Sequence, residues 1–240
     1  MDAFTPEEER QRAIGTRRLM TWLMIFAIVM FFAGLTSAYI VSKSAGYWTR
    51  ITMPQPFYWS TLYVVLGSVM LHLSLIAVRR GKAKLVAPLL VASLALGIGF
   101  FASQMQGWKD LVRLGITWSP NKLLGIGGTY GTDFTITKDG QPLIPVDGHW
   151  YTADDTGREH PLDAEIAEQW DRTGPYVYTL TIAHAAHMAF GLLSLVIMLG
   201  MAIRQRYTAT DHVGLWAGTV YWHFLGGLWI YLFLFLRFVH

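Results

Sequence analysis

Five long apolar runs constrain this chain more than any other feature of its sequence. They lie at about residues 19–41, 57–78, 85–107, 178–203 and 213–236, and none of them contains Asp, Glu, Lys or Arg. A helix of about 20 apolar residues is long enough to cross the hydrocarbon core of a bilayer. We therefore predict an all-α integral membrane protein built as a bundle of five transmembrane helices.

The composition excludes other classes of protein. Only 15% of the 240 residues are charged, against about 25% in a soluble domain, which excludes a soluble enzyme. The net charge of +3 is small and its basic residues stand beside the apolar runs, so nucleic acid is not an expected partner. The absence of cysteine excludes iron-sulfur clusters, thiolate zinc sites and thioether-attached haem.

The distribution of Lys and Arg predicts an orientation in the membrane. Four lie in the first 18 residues and six in the connections 79–84 and 204–211, whereas the short segments on the other side contain only Lys43, Arg50 and Arg237. Cytoplasmic loops carry the excess of Lys and Arg. We expect a cytoplasmic N-terminus and an extracytoplasmic C-terminus. The first run follows about 18 polar residues and is long enough to span, so we expect it to be retained.

A long polar segment separates the third and fourth runs. The predicted organisation is a cytoplasmic N-terminal segment (1–18), helices 1–3 (19–107), an extracytoplasmic insert (108–177) and helices 4–5 (178–240). The insert contains 11 acidic and six basic residues, a net charge of −5. Asp139-Gly140 between short β-prone stretches predicts a hairpin turn, and residues 163–170 predict a short helix. We therefore expect the insert to be small and partly β.

Local signals predict further details. Thr5-Pro6 with Glu8 indicates a helix start, from which we expect a separate interfacial helix ending near Arg17 and Arg18. Aromatic residues near the ends of the runs are expected to anchor the helices at the membrane interface. These are Trp22, Tyr47, Trp48, Tyr58, Trp59, Trp108, Tyr176, Tyr178 and Trp216.

Four histidines, His72, His184, His187 and His223, are the only candidates for chemistry inside the runs. Two interpretations remain open. The imidazoles can hydrogen-bond carbonyls or hydroxyls of neighbouring helices, or His187 and His223, at similar depth, can hold one haem in a membrane cytochrome b. The lack of intramembrane carboxylates counts against a zinc or di-iron site and against ion-coupled transport.

Four motifs resemble subunit III of haem-copper terminal oxidases. Tyr221-Trp222-His223-Phe224 is similar to the signature of that family's last helix, and His184-x-x-His187-x-x-x-Gly191 to its preceding helix. The stretch 67–74 with His72, and the helix end from Gln104 to Trp108, match further segments in the same order. The resemblance covers about residues 18–107 and 175–238 and indicates the five-helix bacterial form.

This resemblance implies an accessory subunit that carries no haem or copper, both of which lie in partner subunits. It implies contact with the catalytic subunit I and other oxidase subunits, bound phospholipid, and a place in the bacterial cytoplasmic membrane. Cytochrome c oxidase is the expected enzyme, while a quinol oxidase or a homologue associated with nitric oxide reductase remains open. We predict no catalytic, cofactor or metal residue; the structural or lipid-cleft candidates are His72, Gln104, Trp108, His184, His187, Gly191, Tyr221, Trp222 and His223.

The chain departs from the family where the family has membrane acids. Ile28, Gly107, Trp216 and Gly226 stand at those positions. A direct proton relay is therefore not implied for this chain. The acidic insert either covers the bundle or meets a partner, which is a basic cytochrome c domain or another outward-facing subunit of a respiratory complex. Complementary charge speeds such an encounter and fixes its orientation.

Overall fold

The computed structural model describes residues 5–44 and 46–239, and this part of the chain contains six α-helices and four β-strands. The helices are α1 (Pro6–Lys43), α2 (Gln55–Arg79), α3 (Val86–Arg113), α4 (Asp163–Glu168), α5 (Thr173–Ile203) and α6 (Val213–Phe238). The strands are β1 (Tyr47–Ile51), β2 (Phe134–Lys138), β3 (Gln141–Val146) and β4 (His149–Thr152). All helices except α4 are long and apolar enough to cross a membrane. The predicted five-helix membrane fold is confirmed.

Helix α1 begins at a capping box. The Thr5 N–H donates to Glu8 Oε2 (2.8 Å), and the Glu8 N–H donates to Thr5 Oγ1 (3.4 Å), which satisfies two backbone donors that a helix start leaves free. The separate interfacial helix predicted up to Arg18 is wrong, because α1 continues unbroken to Lys43. The stretch from Arg10 to Leu19 contains no proline, and its single glycine does not interrupt the helix.

Helix α5 begins five residues before its predicted start at Tyr178. The buried carboxylate of Asp171 accepts the N–H groups of Thr173 (3.0 Å) and Gly174 (3.1 Å). These bonds satisfy the first amides of the helix, which have no partner within the helix itself. The Thr173 hydroxyl also donates to the Thr49 carbonyl at 3.0 Å, which ties the helix start to β1.

The strands form one antiparallel sheet in the order β1-β2-β3-β4. Asp139-Gly140 joins β2 to β3, and Asp147-Gly148 joins β3 to β4; all four residues have positive φ, between 49° and 86°. Two successive residues with positive φ form the turn that best fits the twist of a two-residue hairpin. The predicted small sheet between the third and fourth spans is confirmed.

Strand β1 comes from the connection between α1 and α2, which the sequence analysis did not assign to the sheet. It pairs with β2 from Tyr47 opposite Lys138 to Ile51 opposite Phe134. The prediction that Trp48 anchors the helices at the interface is wrong, because its side chain is fully buried. Its ring packs against Tyr39, with ring centres 5.0 Å apart.

The packing of the chain divides it into two compact units. The first comprises the described residues up to Phe32 with Trp59–Ala102 and His184–Ile230. The second comprises Ala33–Tyr58, Ser103–Ala183 and the described residues from Tyr231 onward, so it contains the whole sheet. The histidines at 72, 184, 187 and 223 all belong to the first unit.

Candidate functional site

Trp222, in the Tyr-Trp-His-Phe motif of α6, is a fully buried side chain in a socket lined by glycines. A Cβ atom placed on Gly67, Gly97 or Gly191 would lie 3.5, 2.9 or 3.4 Å from atoms of the indole. These glycines belong to α2, α3 and α5 respectively. Glycine therefore lets three helices approach one large aromatic ring, as small residues generally do in membrane helix packing.

His184 is fully buried between α5, α6 and α3. Its Nε2 lies 3.0 Å from the Leu225 carbonyl oxygen, so Nε2 is the protonated nitrogen that donates this bond. Its ring centre lies 5.7 Å from that of Phe100 and 5.1 Å from that of Trp229. Trp229 Nε1 in turn donates to Thr61 Oγ1 at 3.0 Å on α2. His184 is placed to join helices to one another.

His187 lines an open cavity of about 680 Å³ between α1, α5 and α6. Its ring packs against Phe32 (ring centres 5.6 Å apart), and its backbone carbonyl accepts the Tyr221 hydroxyl at 3.1 Å. Ile28, which stands where the family has a membrane acid, also lines this cavity. Apolar side chains dominate the lining, which therefore suits a hydrocarbon chain better than a proton path.

The haem pair considered from the sequence does not form. His223 faces His72, with ring centres 5.6 Å apart, and these two rings line a second cavity that does not include His187. Depth along the helices was similar for His187 and His223, but the rotation of each helix about its axis directs the two side chains to different cavities. The proximity of His72 and His223 was not predicted from the sequence.

Gln104 and Trp108 lie near the C-terminal end of α3, in the second unit. Gln104 is fully buried, and Trp108 Nε1 donates to Thr181 Oγ1 at 3.1 Å. A Cβ atom on Gly107, another position of a missing family acid, would lie 2.8 Å from the Phe57 ring. The ring of Phe57 occupies the space in which a longer side chain would have to fit.

Two side-chain contacts join α4 to the sheet of the insert. Lys138 Nζ lies 2.7 Å from Glu165 Oε2, and this bond raises the pKa of Lys138. Asp163 accepts a bond from His149 Nδ1 at 2.6 Å and another from the Trp150 N–H, and these bonds lower the pKa of the Asp163 carboxyl. Both pairs hold α4 against the sheet. The insert as a whole still carries a net charge of −5.

Among the candidates named from the motifs, the structure gathers Gly191, Tyr221 and Trp222 with His184 and His187 in the first unit. Gly97 is the contact residue that the sequence analysis missed, and its spacing from Gly99 along an apolar run was the available signal. A Gly-x-Gly pair in a membrane helix suggests close approach of a neighbour, but it does not say which side chain approaches.

No protein-family model matches the chain. Three curated proteins named cytochrome c oxidase subunit 3 are similar to it. The protein from Synechocystis sp. is 40% identical over 58 residues, which is 24% of this chain and 25% of that protein. Those from the lancelets Branchiostoma lanceolatum and Branchiostoma floridae are each 23% identical over 240 residues, covering 90% of this chain and 85% of the relative.

The two Branchiostoma matches extend over 90% of the chain, well beyond any single motif quoted above. The resemblance predicted from those motifs is confirmed. The chain is therefore a homologue of proteins named cytochrome c oxidase subunit 3.

Proposed function

We propose that this chain is the accessory, cofactor-free subunit III of a respiratory haem-copper oxidase of the cytochrome c oxidase type. In this role it supports subunit I, which carries out oxygen reduction and proton pumping. The packing of the Tyr-Trp-His-Phe motif carries the proposal. Trp222 fills a socket lined by glycines, and the Tyr221 hydroxyl donates a hydrogen bond to the backbone carbonyl of His187. Both side chains therefore hold helices together.

The positions of the missing acids support a scaffold over a proton path. Ile28 faces an apolar cavity, and Gly107 lies under the Phe57 ring. A Cβ atom on Gly226 would lie 3.2 Å from Ser68 Oγ and 3.5 Å from Val64 Cγ2. Proton relays through membranes use Asp, Glu and His side chains, and the five apolar runs contain no Asp or Glu.

The exposed faces of the spans support a partner in the membrane. Phe26, Phe190 and Ile197 are 63%, 66% and 57% exposed, as expected for side chains covered by lipid or by a neighbouring subunit. The outward faces of α1 and α5 are therefore the proposed surfaces for subunit I and for lipid.

Purification from native membranes in mild detergent tests the assembly. We expect this chain to copurify with a haem-containing and copper-containing subunit I, and to be colourless when isolated. An oxidase lacking the chain should keep its haem spectrum but lose activity sooner during turnover. A Soret band in the isolated chain, lost in His187→Ala, would instead assign it to the membrane cytochromes.

A small polar pocket supports phospholipid binding in the second unit. Arg50 and Arg237 line a cavity of about 150 Å³ together with Thr52 and Thr135. The Arg237 guanidinium also lies 5.3 Å from the ring centre of Tyr58. Guanidinium groups bind phosphate oxygens through paired hydrogen bonds. We assign this pocket to a phospholipid headgroup.

Lipid mass spectrometry of the purified complex tests this assignment. The double variant Arg50→Ala/Arg237→Ala should lose one bound phospholipid, whereas Arg172→Ala, which removes an exposed arginine outside the pocket, should retain it. An unchanged lipid count in the double variant would exclude the pocket.

The acidic insert is the proposed docking surface for a basic cytochrome c domain. Asp147→Asn, Asp154→Asn and Glu159→Gln together would change its net charge from −5 to −2 at exposed positions. We expect a slower electron-transfer rate at low salt and a weaker dependence on ionic strength. The same rate and salt dependence as the parent would leave the insert with a covering role.

A further inference from the structure

His72 on α2 and His223 on α6 form a pair of imidazoles that line an open apolar cavity, in which His72 is exposed and His223 is partly buried. Their ring centres lie 5.6 Å apart with a 52° angle between the ring planes. Within residues 5–44 and 46–239, neither ring makes a hydrogen bond to protein. A polar atom without a hydrogen-bond partner in an apolar environment costs free energy. A ligand that forms hydrogen bonds with the ring nitrogens would remove this cost.

The cavity has the dimensions and lining of a small-molecule site. Its volume is about 460 Å³, within the range of about 300–1,000 Å³ usual for ligand pockets, and its lining is apolar with three polar side chains. The third is Ser68, which lies one helical turn from His72. Gly227 borders open space, because a Cβ atom there would meet nothing within 4 Å.

The depth of His72 and His223 within the membrane-spanning helices argues against a phospholipid headgroup as the ligand. His72 lies seven residues before Arg79, the last residue of α2, or about 10 Å along the helix. His223 lies ten residues after Val213, the first residue of α6, or about 15 Å. The pair is therefore well inside the span, and the lining includes no Lys or Arg to bind a phosphate.

The side chains that line this cavity are too few and of the wrong kind to bind a metal ion. Among the described residues, no group of three or more His, Cys, Asp or Glu side chains is placed to hold one. Two imidazoles supply only half of the four ligands that zinc usually takes, and no carboxylate lines the cavity to balance the charge of the metal ion. A neutral ligand with hydrogen-bonding oxygens on an apolar body fits the lining better.

We propose that His72, His223 and Ser68 bind the head of a lipid-soluble quinone. Imidazole N–H groups and the serine hydroxyl donate hydrogen bonds to the ring carbonyl oxygens. The apolar remainder of the cavity receives the ring and the start of its tail, and Gly227 leaves room for the ring. The site binds the molecule; no electron transfer is assigned to it. This proposed quinone site does not depend on the proposed role of the chain in an oxidase.

Photoaffinity labelling of the full chain in phosphatidylcholine nanodiscs tests the site, with azido-decylubiquinone as the probe. We expect labelled peptides from α2 and α6 around residues 68–73 and 223–230, and loss of the label under excess unlabelled decylubiquinone. Gly227→Leu fills the cavity and should lower labelling about tenfold or more. The double variant His72→Phe/His223→Phe keeps two rings but no donors, and should weaken binding by about threefold to tenfold for each bond lost.

Gly34→Leu is the matched control, since a Cβ atom on Gly34 also meets nothing within 4 Å and the residue lies outside the cavity. It should label like the parent chain. Thermal unfolding of each variant separates loss of the site from loss of the fold. Labelling spread over all five spans and unchanged in Gly227→Leu would overturn the proposal, as would competition by dioleoylphosphatidylglycerol and not by decylubiquinone.

Discussion

Replacing Gly97 by alanine tests the glycine socket around Trp222. An added Cβ atom would lie 2.5 Å from Leu192 Cδ2 and 2.9 Å from Trp222 Cη2. The leucine methyl is the end of a flexible side chain and can rotate away. The indole cannot retreat in the same way, because Gly67 and Gly191 already stand close to its other edges.

Gly99 provides a matched control on the same helix. A Cβ atom there would lie 3.5 Å from the Tyr63 ring, an ordinary van der Waals distance. Both replacements gain the same helix propensity, up to about 1 kcal/mol in water, so their difference reports packing. Overpacking a close-packed interior costs about 1–3 kcal/mol. We expect Gly97→Ala to be less stable than Gly99→Ala by that amount.

Reversible unfolding in mixed detergent micelles, followed by the fluorescence of the ten tryptophans, measures the difference. The double variant Gly97→Ala/Leu192→Ala removes the 2.5 Å contact but leaves the contact with Trp222. Leu192→Ala has a packing cost of its own, so the double variant is compared with Leu192→Ala alone. In that background Gly97→Ala should lower the free energy of unfolding by less than in the parent chain, but not by zero. Equal stability of Gly97→Ala and Gly99→Ala would refute the socket as a close-packed element.

Three further changes have defined outcomes. Gly107→Ala should lower the free energy of unfolding by about 1–3 kcal/mol, measured in the same micelles, because a Cβ atom there lies 2.8 Å from the Phe57 ring. Trp229→Phe should cost about 0.6–1.7 kcal/mol through its bond to Thr61, and a double-mutant cycle with Thr61→Val should show coupling of that size. Burial raises the pKa of Tyr207 to about 12, so its neutral form stabilises the fold fully below about pH 10. That stability should be lost as the pH rises through about 12, and Tyr207→Phe should remove this part of the pH dependence of the melting temperature.

The sequence by itself determined the class of protein and the course of the chain through its five helices. Apolar runs long enough to cross a bilayer have few other stable structures, since every backbone polar group must be satisfied within the helix. The hairpin at Asp139-Gly140 was equally local, because two residues with positive φ specify the turn. The order of the motifs also indicated the resemblance to subunit III. Motif order can be read from the sequence alone, because it depends on residue identities and not on which side chains are in contact.

Only the tertiary structure decided which side chains meet. Strand β1 joins a sheet whose other strands follow more than 80 residues later, and no local pattern specifies that pairing. The four histidines could be placed by depth from the sequence, since each residue adds a fixed rise. Their partners depend on how each helix is rotated and packed against its neighbours. That rotation brought His223 to His72, and it surrounded Trp222 with glycines from three helices.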